Sequence, residues 1–129
     1  MHGPSVRPLV LVVEDDISTR KLYADLLGGE GYDVVEAHNG LQAVEKAGEL
    51  LPSLIVTDLG LPGIDGFELC RRLHQDHRTR HIPVVAVTGR YVSAADIARA
   101  QREGCHTVLL KPLDAEAFLA EVKGLLKTG

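Results

Sequence analysis

Short apolar runs rich in β-branched residues recur along the chain, and a segment of helical character separates each from the next. Four runs are nearly continuous, at residues 9–13, 54–57, 83–87 and 107–110. Continuous apolar stretches of this length suit strands buried on both faces of a sheet. A fifth run, residues 32–37, carries Asp33 and Glu36 among its apolar positions and belongs at a sheet edge. Regular alternation of strand and helix demands right-handed crossovers and a parallel sheet covered by helices on both sides. The fold class is therefore α/β, a doubly wound five-stranded parallel sheet.

Local chemistry supports the helices. Each opens on a plausible N-cap, namely Asp16, Asn39, Asp65, Ser93 and Asp114. In the last helix Phe118, Leu119, Val122, Leu125 and Leu126 share one face, which packs on the sheet. The segment 94–103 offers Ile97 among alanines and two arginines, so its hold on the core is thin and it is the helix expected to move. Gly28, Gly29 and Gly31 read as a helix C-cap and turn. A chain of 129 residues with no repeat or linker makes one domain, expected over residues 8–129, with residues 1–7 a short tail.

Charge and composition exclude several functions. Fourteen Lys and Arg against eighteen Asp and Glu leave a net charge of −4, which disfavours direct nucleic-acid binding. The longest apolar runs fall far short of the ~20 residues that cross a bilayer, so no membrane role is expected. Cys70 and Cys105 stand apart, in no metal-ligand spacing, and are read as buried spectator thiols of a reducing, cytoplasmic compartment. The basic stretch 71–81 fits a solvated helix end, where the dipole favours cations.

In doubly wound sheets ligands sit beyond the carboxyl ends of the strands. One step past the apolar runs stand Glu14, Asp15 and Asp16, then Asp58, Thr88 and Lys111. Two like charges about 4 Å apart repel by ~4 kcal/mol at an effective dielectric of ~20, so clustered carboxylates are a liability unless a cation sits between them. Hard carboxylate oxygens without imidazole or thiolate suit Mg2+. An ionised carboxylate beside such an ion, a lysine ammonium and a hydroxyl can receive a phosphoryl group by in-line attack.

Over residues 8–128 the chain resembles the receiver domain of bacterial two-component response regulators. The resemblance is carried by Val12-Val13-Glu14-Asp15-Asp16, by Thr57-Asp58-Leu59-Gly60-Leu61-Pro62-Gly63-Ile64-Asp65-Gly66, by Pro83-Val84-Val85-Ala86-Val87-Thr88-Gly89 and by Lys111-Pro112. It implies a flavodoxin-like sheet in strand order 2-1-3-4-5. It implies that Asp58 takes a phosphoryl group from a histidine of a sensor kinase or histidine phosphotransfer protein. Glu14, Asp15, Asp58 and the Gly60 backbone carbonyl would hold Mg2+, with Asp15 as a direct ligand and Asp16 left to cap the first helix. Lys111 would pair with the phosphoryl oxygens, Thr88 would turn toward them, Gly89 would leave the group room to enter, and Lys111-Pro112 would be a cis peptide. Output would pass to a downstream protein target through the fourth helix, fifth strand and fifth helix. Gly104-Cys105-His106-Thr107 looks more like single-domain and hybrid-kinase receivers than DNA-binding regulators, so the chain is either a stand-alone receiver or one cut from a larger protein.

Departures from that pattern shape the remaining expectations. Val108 occupies the position where the family usually carries a switching aromatic, and a β-branched side chain is too stiff to swing between states. Tyr91 could carry part of the switch instead. Gly60, two residues past Asp58, has no side chain to orient water, and Arg90, two past Thr88, can reach or shield the site; slow self-dephosphorylation follows. Gly60 also stands where a haloacid-dehalogenase-like phosphohydrolase needs its acid, which argues against turnover of external substrates. A flavodoxin-like phosphate cradle would need amide and hydroxyl donors after the first strand, where this chain has three acids. A pseudo-receiver that only binds partners is the third alternative.

Overall fold

The computed structural model describes residues 7–89, 93–111 and 113–127. Five strands alternate with five helices: β1 (Leu9–Val13), α1 (Ile17–Gly29), β2 (Asp33–Ala37), α2 (Gly40–Leu50), β3 (Leu54–Asp58), α3 (Gly66–Gln75), β4 (Val84–Thr88), α4 (Ala94–Arg102), β5 (Thr107–Leu110) and α5 (Ala115–Leu126). All neighbouring strands pair in parallel, in the order β2-β1-β3-β4-β5.

Every expected N-cap is in place. Asp16, Asn39 and Asp65 accept from the amides of Thr19, Gln42 and Glu68, and Asp114 accepts from Glu116. Ser93 and Asp96 form a reciprocal capping box that opens α4. Helix α1 runs through Gly28 and Gly29 and closes on a Schellman turn. There Gly31 adopts φ +93°, its amide donates to Gly28 O, and the Tyr32 amide donates to Leu27 O. Arg7, counted with the tail, is tied to this turn: it donates to the carbonyls of Gly31 and Tyr32 and pairs with Asp33 at 3.2 Å.

Alternate residues of each central strand enter opposite cores, as the period of a strand requires. Leu11, Val13, Ile55 and Ala86 face α2, α3 and α4, whereas Val10, Val12, Val56 and Val87 face α1 and α5. On the second side Tyr23 of α1 meets Phe118 of α5 with ring centroids 5.5 Å apart. Phe118 and Val122 are buried, with Leu119, Leu125 and Leu126 packed around them. Helix α4 buries Ala100 alone, in keeping with its thin apolar stripe.

The apolar character of the run 107–110 alone suits burial on both faces, and that expectation is corrected: β5 lies at the sheet edge, as the implied strand order requires, half-buried and with Leu110 56% exposed. An apolar run records that side chains are hydrophobic; which strand ends the sheet is decided by the topology of the crossovers.

Candidate functional site

The carboxyl ends of β1, β3, β4 and β5 bring their polar residues to one edge. Glu14 follows β1 directly. Its amide donates to Ala37 O across the sheet, and its carbonyl accepts from the Arg20 guanidinium at 2.9 Å. The side chain turns inward, 3% exposed, and accepts from the Asp16 amide at 3.2 Å. Asp15 points outward and is exposed, while Asp16 is taken up in capping, accepting from the amide and hydroxyl of Thr19.

Asp58 ends β3, in register with Val87 of β4. Its carboxylate is held at both oxygens: Oδ1 accepts from the Gly60 amide at 2.9 Å, and Oδ2 faces the Lys111 ammonium at 3.0 Å. Lys111 reaches the site because β5 ends beside β4, where the Lys111 amide donates to Thr88 O at 2.9 Å. The same ammonium lies 3.7 Å from Glu14 Oε2. Ligand oxygens of Glu14, Asp15 and Asp58 lie within 4.8 Å of one another. Thr88 is buried one residue beyond the Asp58 partner Val87.

Electrostatics follow the geometry. Burial pushes the Glu14 carboxyl up to about 7 and the Asp58 carboxylate beside it adds to the rise, while the Asp16 amide and Lys111 act in the opposite sense. Burial works against the Lys111 charge, but the hydrogen bond and charge of Asp58, with Glu14 behind it, prevail and hold its pKa above the ordinary lysine value. A crowded anionic pocket with one ammonium leaning into it has the donor chemistry of a hard divalent cation site.

Two glycines shape the loop that carries Asp58. A Cβ on Gly66 would lie 2.5 Å from Asp58 O and 2.6 Å from Leu59 Cα, so α3 starts hard against the end of β3. A Cβ on Gly40, at the start of α2, would collide with the Ile64 side chain and lie 2.8 Å from its carbonyl oxygen. Gly89 makes room at the end of β4. The space its missing Cβ leaves is filled by the Lys111 stem, whose Cδ would lie 2.9 Å from such an atom. Arg20 is a further residue of the site edge: besides holding the Glu14 carbonyl it pairs with Glu36 at 2.9 Å, bracing β1 against β2. Its place one turn after the Asp16 cap was the available signal.

Of the remaining expectations, Arg90, Tyr91 and the cis Lys111-Pro112 bond fall on residues 90–92 and 112, outside the described residues. Val108 is half-buried against the core beneath α4. The basic stretch is partly neutralised: Arg71 and Arg72 share Glu68, and Arg78 pairs with Asp76.

A family model for the response regulator receiver domain matches residues 10–123. The chain belongs to that family. Among curated relatives, this receiver domain is 37% identical over 117 residues to the polar-differentiation response regulator DivK of Brucella anthropi, a match covering 91% of this chain and 94% of that protein. Among solved structures it is similar to the Vibrio cholerae chemotaxis protein CheY4, at 26% identity and TM-score 0.88, covering 94% of this chain and all of that one. The signal receiver domain of a histidine kinase from Syntrophus aciditrophicus is 30% identical with TM-score 0.85, covering 92% of this chain and 89% of that one. Two-component signalling is therefore the setting in which this receiver domain works, and no described helix is long and apolar enough to cross a membrane.

Proposed function

We propose that this receiver domain accepts a phosphoryl group on Asp58 from a phosphohistidine of a sensor histidine kinase or histidine phosphotransfer protein. A carboxylate oxygen of Asp58 attacks phosphorus while the bond to the donor imidazole breaks, the departing nitrogen keeping the electron pair, and an acyl phosphate results. The Gly60 amide holds one carboxylate oxygen for this step. Lys111 sits at hydrogen-bond distance from the other and can transfer its pairing to the arriving phosphoryl oxygens. The Thr88 hydroxyl, at the end of the neighbouring strand, donates to the same group.

Glu14, Asp15 and Asp58, with the Gly60 carbonyl, would hold Mg2+; the three carboxylates converge, and their donor set is all oxygen. When bound, the ion supplies positive charge against the oxygens in transit. Exposed Ile17 and Leu41, at the starts of α1 and α2 on this same edge, offer an apolar rim for a protein donor. Altered contacts along α4, β5 and α5 would then reach a downstream protein target. The domain would catalyse only its own phosphorylation and slow dephosphorylation, and the reduced thiols of Cys70 and Cys105 suit a cytoplasmic location.

The observation that carries this reading is the meeting of three carboxylates and one ammonium at the carboxyl edge of the sheet. Incubation with a small acyl-phosphate donor should add the mass of one phosphoryl group to the wild type in the presence of Mg2+. Asp58→Asn should gain nothing, and neither should the wild type with chelator. Equal labelling of wild type and Asp58→Asn would move the acceptor elsewhere; no labelling of either would leave an interaction module without phosphotransfer.

A further inference from the structure

Side chains on a helix lean back toward its N-terminus, so an arginine one turn into α1 lies over the loop that feeds the helix. Arg20 is that residue, and its amide closes the first turn by donating to Asp16 O at 2.9 Å. Its side chain is 16% exposed and reaches two acceptors with separate nitrogens. Nη1 donates to Glu14 O at 2.9 Å, and Nε donates to the Glu36 carboxylate at 2.9 Å. Glu36 stands in β2, in register with Val12 of β1, and its own carbonyl accepts from the Lys46 ammonium of α2. One guanidinium thus joins the loop after β1 to a strand that a second helix also grips.

The carbonyl that Arg20 holds gives this contact its meaning. Glu14 O belongs to the peptide between Glu14 and Asp15, and a planar peptide gripped at its oxygen has a fixed orientation. The Glu14 amide still donates to Ala37 O at 3.1 Å; the next peptide lies past the sheet and is held at its oxygen by Arg20. On either side of it the two acids face differently, Glu14 buried and Asp15 exposed, yet their carboxylate oxygens and that of Asp58 lie within 4.8 Å of one another. Rotation of this peptide would swing Asp15 out of the set. Charge alone gives no reason for an arginine here, because a positive group beside an anionic pocket opposes a divalent cation. Nor does stability, since an ion pair whose carboxylate is 47% exposed adds little. Glu36 answers the charge and keeps the guanidinium at the carbonyl.

We propose that Arg20 is a positioning residue for phosphotransfer, holding the Glu14–Asp15 peptide in the orientation in which both carboxylates serve a divalent cation. It acts through Glu14 O, with Glu36 as its counter-ion, and touches neither the ion nor the phosphoryl group. This role rests on the reading of the acidic edge as the Mg2+ and phosphoacceptor site.

Titration calorimetry of Mg2+ into the wild type and Arg20→Met separates positioning from bare electrostatics, because the two predict opposite signs. Methionine keeps an unbranched stem and removes the charge and both donors. Loss of a nearby positive charge should tighten Mg2+ binding; release of the acidic peptide should weaken it, by about tenfold if Arg20 acts as residues behind metal ligands commonly do. Arg20→Lys keeps the charge but replaces the two-nitrogen fork by a point donor, and should lose affinity as well. With a small acyl-phosphate donor, both variants should need more Mg2+ for half-maximal labelling of Asp58, while the rate at saturating Mg2+ stays near that of the wild type. A role confined to bracing would lower the urea midpoint and leave the Mg2+ requirement unchanged. Unchanged or tighter binding in Arg20→Met, wild-type affinity in Arg20→Lys, or a lower saturating rate at an unchanged Mg2+ requirement would each overturn the proposal. If the wild type binds Mg2+ and is labelled at Asp58, such a result removes the role of Arg20 alone; a wild type that takes up no Mg2+ removes the site reading with it. Arg20→Lys carries the decision if Arg20→Met does not fold.

Discussion

Replacing Gly66 by alanine tests how tightly the phosphoacceptor loop is seated. The new methyl would lie 2.5 Å from Asp58 O, 2.6 Å from Leu59 Cα and 3.1 Å from Asp58 C, and all three are backbone atoms without a rotamer to yield. Ordinary carbon contacts begin near 3.5 Å, so main chain at the end of β3 must retreat by about 1 Å. Overpacking of this kind costs about 1–3 kcal/mol, and here helix propensity returns only about 1 kcal/mol of it. With an m-value of about 2 kcal/mol/M, a net loss of up to roughly 2 kcal/mol lowers the urea midpoint by up to about 1 M. Gly124→Ala is the matched control. It lies in α5 with nothing within 4 Å of the added Cβ, so it should raise the midpoint by up to about 0.5 M. A second readout is attachment of a beryllofluoride mimic, which the displaced Asp58 backbone should weaken in Gly66→Ala and not in Gly124→Ala. If the two variants shift the midpoint in the same direction by the same amount, the close approach at Gly66 has no energetic consequence and the reasoning fails.

Asp15→Asn should abolish the stabilisation produced by millimolar Mg2+, which for the wild type amounts to about 2.7 kcal/mol at a hundred times the dissociation constant; calorimetry with and without chelator measures it. Arg71 and Arg72 hold the Glu68 carboxyl at about 2, below its ordinary 4.5, so its contribution to stability is complete above pH 4.5 and disappears as the pH falls toward 2. Glu68→Gln should therefore show a shallower loss of stability across that window in denaturation at successive pH values; a wild-type slope would exclude the ion pair from the acid limb. Ser93→Ala should cost α4 about 1 kcal/mol through its broken capping box, and hydrogen exchange should accelerate in residues 94–102 well before the sheet responds.

What the sequence revealed depended on how local the deciding chemistry was. Five helix starts were legible because a cap is made by a side chain and an amide two or three positions away, as with Asn39 and Gln42. The acidic triad and Lys111 were legible because parallel crossovers carry every strand end to the same edge. The edge position of β5 was legible only through the strand order that the family resemblance implies, since Val108, Leu109 and Leu110 look alike whether or not a sixth strand would follow. Nor did composition distinguish Glu14 from Asp15, adjacent acids of which one is buried and one exposed. The Arg20–Glu36 pair and the close contact of Gly40 with Ile64 join residues that only the fold makes neighbours.

The pleated sheet also acts as a partition. Leu11 and Val12 are consecutive, yet each belongs to a separate apolar compartment with a layer of hydrogen-bonded backbone between them. A void opened beneath α3 cannot be filled by the Tyr23–Phe118 stack on the far side, so injuries to the two compartments should sum with little interplay. Substitutions can thus accumulate in the lining beneath α2, α3 and α4 while the Tyr23–Phe118 side keeps the strands aligned.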